Sequence, residues 1–263
     1  MNAKSSSAVT RVAAGTEPSA VKSARRTLEV LEFFAARHSA ATVSEVAEAL
    51  DYPQSSTSML LRTLESLGYL MQEGGSRRYR PTLRVMLLGT WMHDELFGQA
   101  SLFSNMAQLR LRTGQAVLVG LRQGIHVRFI LSLPSVKANA LRYPVGVMRP
   151  VCLSAAGKML LTRESDREVQ RIARRANAQA ATPQERVDVS ALLNEVRESR
   201  ERGWAESVNY PQRGFANLST LLPAIAGQPH MGITLGMRLE VLEARRATLL
   251  DALESAVRML VPD

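Results

Sequence analysis

Apolar positions in the first third of the chain recur at helical spacing in three short stretches. Between Val21 and Ala36 the residues Ala24, Leu28, Leu31 and Phe34 form one face, widened by Val30 and Phe33, which predicts a first helix. Val46, Ala47, Ala49 and Leu50 supply a stripe over barely two turns. Thr42-Val-Ser-Glu45 opens it as a capping box, in which a hydroxyl and a carboxylate satisfy two amides that the helix leaves unpaired. Asp51-Tyr52-Pro53 ends it, because the residue before a proline is pushed out of the α region, and Pro53 suits the start of a further helix. There Leu60, Leu61, Leu64 and Leu67 make a buried side, while Ser55, Ser58, Arg62 and Glu65 fall together on an opposite polar face. Gly68 terminates the helix. Tyr69-Leu70-Met71 and Arg78-Tyr79-Arg80 then flank Gly74-Gly75, a hairpin signal with arginines near its tip.

Helix, tight turn, helix and basic hairpin together read as a winged helix-turn-helix, whose second helix enters the DNA major groove while the ribbon lies on the backbone. Any small helical subdomain ending in a hairpin is the bland alternative. Lys22, Arg25 and Arg26 stand at the start of the first helix, against the preference of its dipole, where phosphate contact or plain solvation explains them.

Beyond the hairpin, Leu83 to Phe97 is apolar with little polar relief, and Trp91 and Met92 add bulk. It is expected to be a helix that links two domains and buries itself against a second subunit; a buried helix of the next domain is the competing reading. Leu102 to Arg112 is an amphipathic helix. Ala116–Leu121 and His126–Leu131 are strand-like about a Gln123-Gly124 turn, and Ser132 to Pro150 is a long irregular stretch of the kind that lines a site. Ser154–Leu161, Ser165–Ala176 and Gln184–Arg202 read as helices, followed by strands at Trp204–Val208, Phe215–Leu222 and His230–Leu235. A long helix, Leu239 to Val261, closes the chain. Helices mixed with at least five short strands, without a βαβ rhythm, predict an α+β fold with a mostly antiparallel sheet. The expected division is a disordered tail over residues 1–20, a DNA-binding domain over 21–82, a linker helix over 83–97, and an effector-binding and oligomerisation domain over 98–263.

Composition narrows this picture without changing it. A 46% hydrophobic share permits sizeable cores, and the single cysteine, Cys152, excludes a disulfide framework and fits a reducing cytoplasm. No apolar run is long enough to cross a bilayer. The net charge of +9 favours polyanionic partners, yet residues 1–97 carry eleven Lys/Arg against ten Asp/Glu. The local arginines at 77, 78, 80 and 84 are therefore better support for DNA binding than the total. Catalytic signals are poor. His38, His93, His126 and His230 lack metal-ligand spacing, and no Gly-x-Ser-x-Gly elbow occurs. Gly157-Lys158 lacks the upstream glycine of a phosphate loop, with Met159 where a hydroxyl belongs. Neither an enzymatic role nor a cofactor or metal is expected.

The runs SEVAEAL…PQSSTSMLLRTLESLGYL, GSRRYRPTLRVMLLG and RPVCLSAAGKMLL, in this order, resemble the IclR family of bacterial transcriptional regulators from about Lys22 to the C-terminus. The resemblance implies a winged helix-turn-helix, a linker helix and a GAF-like domain that binds a small metabolite. It also implies homodimers paired through the DNA-binding halves, often assembled into homotetramers, on pseudo-palindromic operators in double-stranded DNA. Where the family commonly has a basic residue in the reading helix, this chain has Met59. Base contact is then expected from Gln54, Ser55, Ser56 and Ser58, phosphate contact from Arg62, and further DNA contact from Thr42, Arg77, Arg78 and Arg80.

In the second domain, a helix opening on Ser154-Ala155-Ala156-Gly157 offers unobstructed amides to a carboxylate, with Arg142 and Arg149 on the preceding loop to add charge. Close packing of the helix on the sheet is an equal explanation for these small residues. Ser207 and Asn217 are candidate polar contacts, and Met148, Ile233 and Leu235 candidate walls. The family often has serines in the last strand, where this chain has Ile233 and Leu235. The effector is accordingly expected to be a carboxylate with an aromatic or acyl body. A domain that only oligomerises is the remaining alternative.

Overall fold

The computed structural model describes residues 21–37, 39–88, 102–136 and 143–260. It divides into two compact units, Met1–Arg84 and Val85–Asp263. The expected tail over residues 1–20 and residues 89–97 of the expected linker helix lie outside the described residues.

The first unit contains α1 (Lys22–Arg37), β1 (Ala41–Thr42), α2 (Val43–Leu50), α3 (Gln54–Ser66), β2 (Leu70–Gln72) and β3 (Arg78–Pro81). The capping box forms as expected. Thr42 Oγ1 accepts from the Glu45 amide at 3.3 Å, and Glu45 Oε2 accepts from the Thr42 amide at 2.8 Å. Asp51 closes α2 in the left-handed region, with φ 57°. Pro53 stands at the N-cap of α3, one position before the first helical residue, and its carbonyl accepts from the Thr57 amide at 3.0 Å. The three strands form one antiparallel sheet in the order β1-β3-β2, with Ala41 opposite Tyr79 and Gln72 opposite the same tyrosine.

The buried stripes keep most of the expected residues and differ at their ends. Val30 and Phe34 carry the core side of α1 while Leu28 is 62% exposed; Thr57, Leu61 and Leu64 carry that of α3 while Leu67 is 53% exposed. Ala41, Val46, Leu70 and Tyr79 complete the cluster. Each stripe keeps the three- and four-residue spacing of one helix face. The direction in which the core lies, which spacing alone does not specify, decided whether Leu28, Thr57 and Leu67 fall inside or outside. Helix α4 (Leu83–Leu87) follows the wing.

The second unit is a six-stranded antiparallel sheet covered on both faces. Its strands are β4 (Ala116–Gln123), β5 (His126–Leu133), β6 (Met148–Pro150), β7 (Ala205–Val208), β8 (Phe215–Leu221) and β9 (Met231–Arg238), in the order β6-β5-β4-β9-β8-β7. Helices α5 (Leu102–Thr113) and α9 (Leu239–Arg258) cover one face through Met106, Leu249 and Leu253. Helices α6 (Ala155–Leu161), α7 (Asp166–Gln179) and α8 (Val189–Arg202) cover the other through Leu160, Ile172 and Val196. Successive side chains of β4 divide accordingly: Val117 and Val119 join the first core, Ala116 and Leu118 the second. Because both faces are dry, this strand reads as an unbroken apolar run rather than an alternation. The stretch expected to be irregular contains the edge strand β6, only three residues long, paired with β5 through Val127 and Arg149. A fold of mixed helix and antiparallel sheet behind a winged helix-turn-helix agrees with the class expected.

Candidate functional sites

The outer face of α3 is the first site. Gln54 and Ser55 are exposed, Met59 is 70% exposed, and a shallow depression is lined by Ser55, Ser58, Met59, Arg62, Thr63 and Ser66. Gln54 Nε2 donates to Ser44 Oγ at 3.0 Å, which ties the start of α3 to α2. Ser56 Oγ turns back to the Pro53 carbonyl at 2.9 Å, the local alternative that hydroxyls near a helix start adopt. Ser55, Ser58 and Arg62 make no side-chain hydrogen bond or ion pair among the described residues, so their polar atoms are free to meet a ligand.

The wing arginines separate into two kinds. Arg77, at the tip, is exposed, and Arg80 stands 3.8 Å from Glu73 with both groups largely in solvent. Arg78 turns inward instead: Nη2 donates to the Ala40 carbonyl at 2.9 Å and lies 3.2 Å from Glu45 Oε2. Arg37 from α1 pairs with the same carboxylate. The Thr42 amide, with the Arg37 guanidinium beside it, pulls the Glu45 carboxyl down to about 2. Thr42 is thereby committed to the cap. At the start of α1, Arg25 pairs with Glu29 at 3.6 Å, and the Arg26 guanidinium stacks 4.7 Å from the Tyr52 ring centroid.

The second site is a small cavity of about 10 Å³ on the α6 side of the large sheet, roughly the room of one water. Its lining includes Ser154, Ala155, Ala156, Arg149 and Asn217, all singled out from sequence, and Phe129, Tyr143, Tyr210, Pro211 and Thr234, which were not. Tyr143 Oη donates to Asn217 Oδ1 at 2.8 Å; Asn217 Nδ2 donates to the Tyr210 carbonyl at 2.9 Å and to Ser207 Oγ at 3.3 Å. Ser207 therefore holds Asn217 from behind and is not itself part of the lining. Arg142 lies outside the described residues. Met148 is on β6, half-buried and outside the lining.

Two expectations need correction. Ile233 and Leu235 do not wall this cavity: they pack into the α5–α9 core, and the same strand turns Thr234 to the cavity and Gly236 to the Tyr143 ring. A shift of one residue exchanges the two faces of a strand. Gly157 presents no free amide, because its N–H donates to Ser154 Oγ at 3.1 Å. A Cβ at Gly157 would stand 2.0 Å from the Val151 carbonyl oxygen, so close packing of backbone on backbone requires glycine there. Of the missed residues, Tyr143 carried a signal, an aromatic beside Pro144 within the stretch expected to line a site; Thr234 carried none without the strand register.

Cys152 is 2% exposed, and burial pushes its thiol up to about 11, so it remains protonated and inert rather than nucleophilic. Among the described residues no group of three or more His, Cys, Asp or Glu could hold a metal ion, and no helix is long and apolar enough to cross a membrane.

A winged helix-turn-helix carried in one chain with a cavity-bearing α+β unit defines a transcriptional regulator with a separate effector domain. Residues 99–261 match the family described as "Bacterial transcriptional regulator IclR C-terminal", and residues 23–74 match the "IclR helix-turn-helix domain". The chain belongs to the IclR family of transcriptional regulators. It is 28% identical over 193 residues to the HTH-type transcriptional repressor AllR of Escherichia coli K12, covering 72% of this chain and 70% of that one. The fold is similar to that of the IclR transcriptional regulator from Alicyclobacillus acidocaldarius, with a TM-score of 0.69 at 23% identity over 91% of this chain and 98% of the other. It is also similar to the Thermotoga maritima IclR, with a TM-score of 0.62 at 18% identity over 92% and 98% of the two chains.

Proposed function

We propose that this chain is a cytoplasmic regulator that acts as a homodimer, or as a homotetramer built from such dimers, on pseudo-palindromic operators in double-stranded DNA. A small carboxylate held in the second unit controls its operator affinity. The observation that carries the reading is the surface of α3. Ser55, Ser58 and Arg62 stand together, exposed or half-exposed and without side-chain partners among the described residues, on the helix that a winged reader places in the major groove. Gln54 suits adenine, and serine hydroxyls accept several bases, so base discrimination from this helix is modest. Arg62, Arg77 and Arg80 are assigned to phosphates. Arg78 and Thr42 are assigned a supporting role, since both are engaged with Glu45.

The effector half of the reading is supported by the cavity, which gathers an arginine, two phenols and an asparagine within an apolar shell. A ligand controls DNA affinity only by favouring one arrangement of the dimer. The expected lever is half-site spacing, set by two reading helices about 34 Å apart. Footprinting of full-length protein on genomic fragments, with and without carboxylate metabolites, tests the whole. Protected half-sites separated by one helical turn, with occupancy altered by a metabolite, are the expected result. Uniform occupancy of all fragments would reject it.

A further inference from the structure

The effector cavity is filled by one of its own residues. Tyr143 is 6% exposed, and its ring lies across Gly236 so closely that a Cβ there would stand 2.8 Å from Tyr143 Cε2. A glycine inside a strand commonly marks such a close approach. The ring meets Phe129 edge to face at 6.4 Å between centroids, and the hydroxyl is bonded to an Asn217 that Ser207 and Tyr210 hold in place. These contacts make a flat, ring-sized seat with a polar end. With Tyr143 in it, the space left admits no metabolite.

Beside the seat stands a cation that has no counter-ion among the described residues. Among the described residues Arg149 Nε is buried without a hydrogen-bond partner, and the side chain's one bond runs from Nη1 to the Met148 carbonyl at 3.2 Å. No carboxylate among the described residues lies within ion-pair distance of it. Burial pushes both Tyr143 and Tyr210 up to about 12, with the Arg149 charge pulling each the other way. Both phenols therefore keep their protons at neutral pH and act as donors. A planar guanidinium with a spare buried donor, flanked by phenols, is matched to a carboxylate. Tyr143 and the cation belong to one short segment, residues 143–150, joined to the sheet by the three residue pairs of β6, by the Ser132 hydroxyl and by the backbone bonds of Gly146 and Val147 with Phe129.

We propose that Tyr143 is a resident plug: the effector enters by displacing it, sets a flat ring over Gly236 against Phe129, and pairs its carboxylate with Arg149. The ligand class is an aromatic monocarboxylate. This rests on the reading of the second unit as an effector domain and adds how the site is gated and what it selects. The apparent dissociation constant then contains the cost of lifting Tyr143, since only the unplugged fraction binds.

Calorimetry on the full-length protein tests this, with benzoate as probe and benzamide as its neutral counterpart. Wild type is expected to bind benzoate and not benzamide, and Arg149→Gln to weaken benzoate at least about tenfold. Tyr143→Ala is expected to tighten benzoate by about tenfold, the gain when a plugged state populated at about nine in ten is removed. Tyr143→Phe, which keeps the ring and loses only the bond to Asn217, should fall between Tyr143→Ala and wild type and guards against a misfolded alanine variant. A merely structural tyrosine would give the reverse order. That reverse order, equal binding of benzamide, an unchanged Arg149→Gln, or no heat from benzoate with any variant would each overturn the proposal. Retardation of operator fragments by the same preparations separates the two readings: if DNA binding persists while benzoate fails, the plug is wrong and the regulator stands.

Discussion

Arg78 on the wing and Glu45 in the first turn of α2 form an ion pair at 3.2 Å, and Arg37 from α1 reaches the same carboxylate. One acidic side chain thus joins three elements of the reading unit while also capping its own helix. This arrangement converts a capping residue into the hub that orients the wing.

Glu45 makes the stability of the reading unit depend on acid. Its carboxyl is lowered from 4.5 to about 2 by the Thr42 amide and then by Arg37. A depressed carboxyl contributes stability above its unfolded pKa and loses it as pH falls through the folded value. The urea midpoint of the reading unit is therefore expected to fall between about pH 4.5 and 2. In Glu45→Gln that fall should be smaller, because a glutamine keeps the reciprocal cap but neither ion pair. Parallel pH profiles for the two proteins would show that Glu45 is not the hub.

The wing arginines should respond differently to truncation. Arg77→Ala is expected to leave the melting temperature unchanged and to reduce the salt slope of DNA binding by about one, as for one lost phosphate contact. Arg78→Ala should lower the melting temperature, since it removes one of the two arginines on Glu45 and the side-chain donor to the Ala40 carbonyl. Equal salt slopes for Arg77→Ala and wild type would remove the tip from the contact surface.

Gly157→Ala tests whether the small residues of α6 serve packing. The added Cβ meets the Val151 carbonyl oxygen, carbon and Cα at 2.0, 2.6 and 2.7 Å, and backbone has little freedom to retreat. A loss of about 3 kcal/mol, the upper range for overpacking, is expected in chemical denaturation. Wild-type stability in this variant would return the glycine to a ligand-binding role.

Much of the reading unit was legible because its signals are local. Thr42 and Glu45 are three residues apart, Gly74-Gly75 sits between Tyr69-Leu70-Met71 and Arg78-Tyr79-Arg80, and Asp51 to Pro53 must break a helix whatever surrounds them. Two strands escaped notice. β1 has two residues and β6 three, too few for any alternation to register, and each exists only because a neighbouring strand offers an edge. The inward turn of Arg78 was equally invisible, since its partner carboxylate is 33 residues away in the chain.

Local chemistry in the chain was enough to specify the helices, their caps, the wing and the alternation of helix with antiparallel strand. The tertiary structure alone decided which side of a doubly covered strand faces the cavity. Along β9 both neighbours of Thr234 are apolar and every residue from Gly232 to Met237 is buried. No contrast of polar with apolar therefore marks the face that meets the cavity. A sheet covered on both sides erases that contrast, so the placement of Thr234 and Gly236 toward the site, and of Tyr143 over Gly236, follows from strand register and packing.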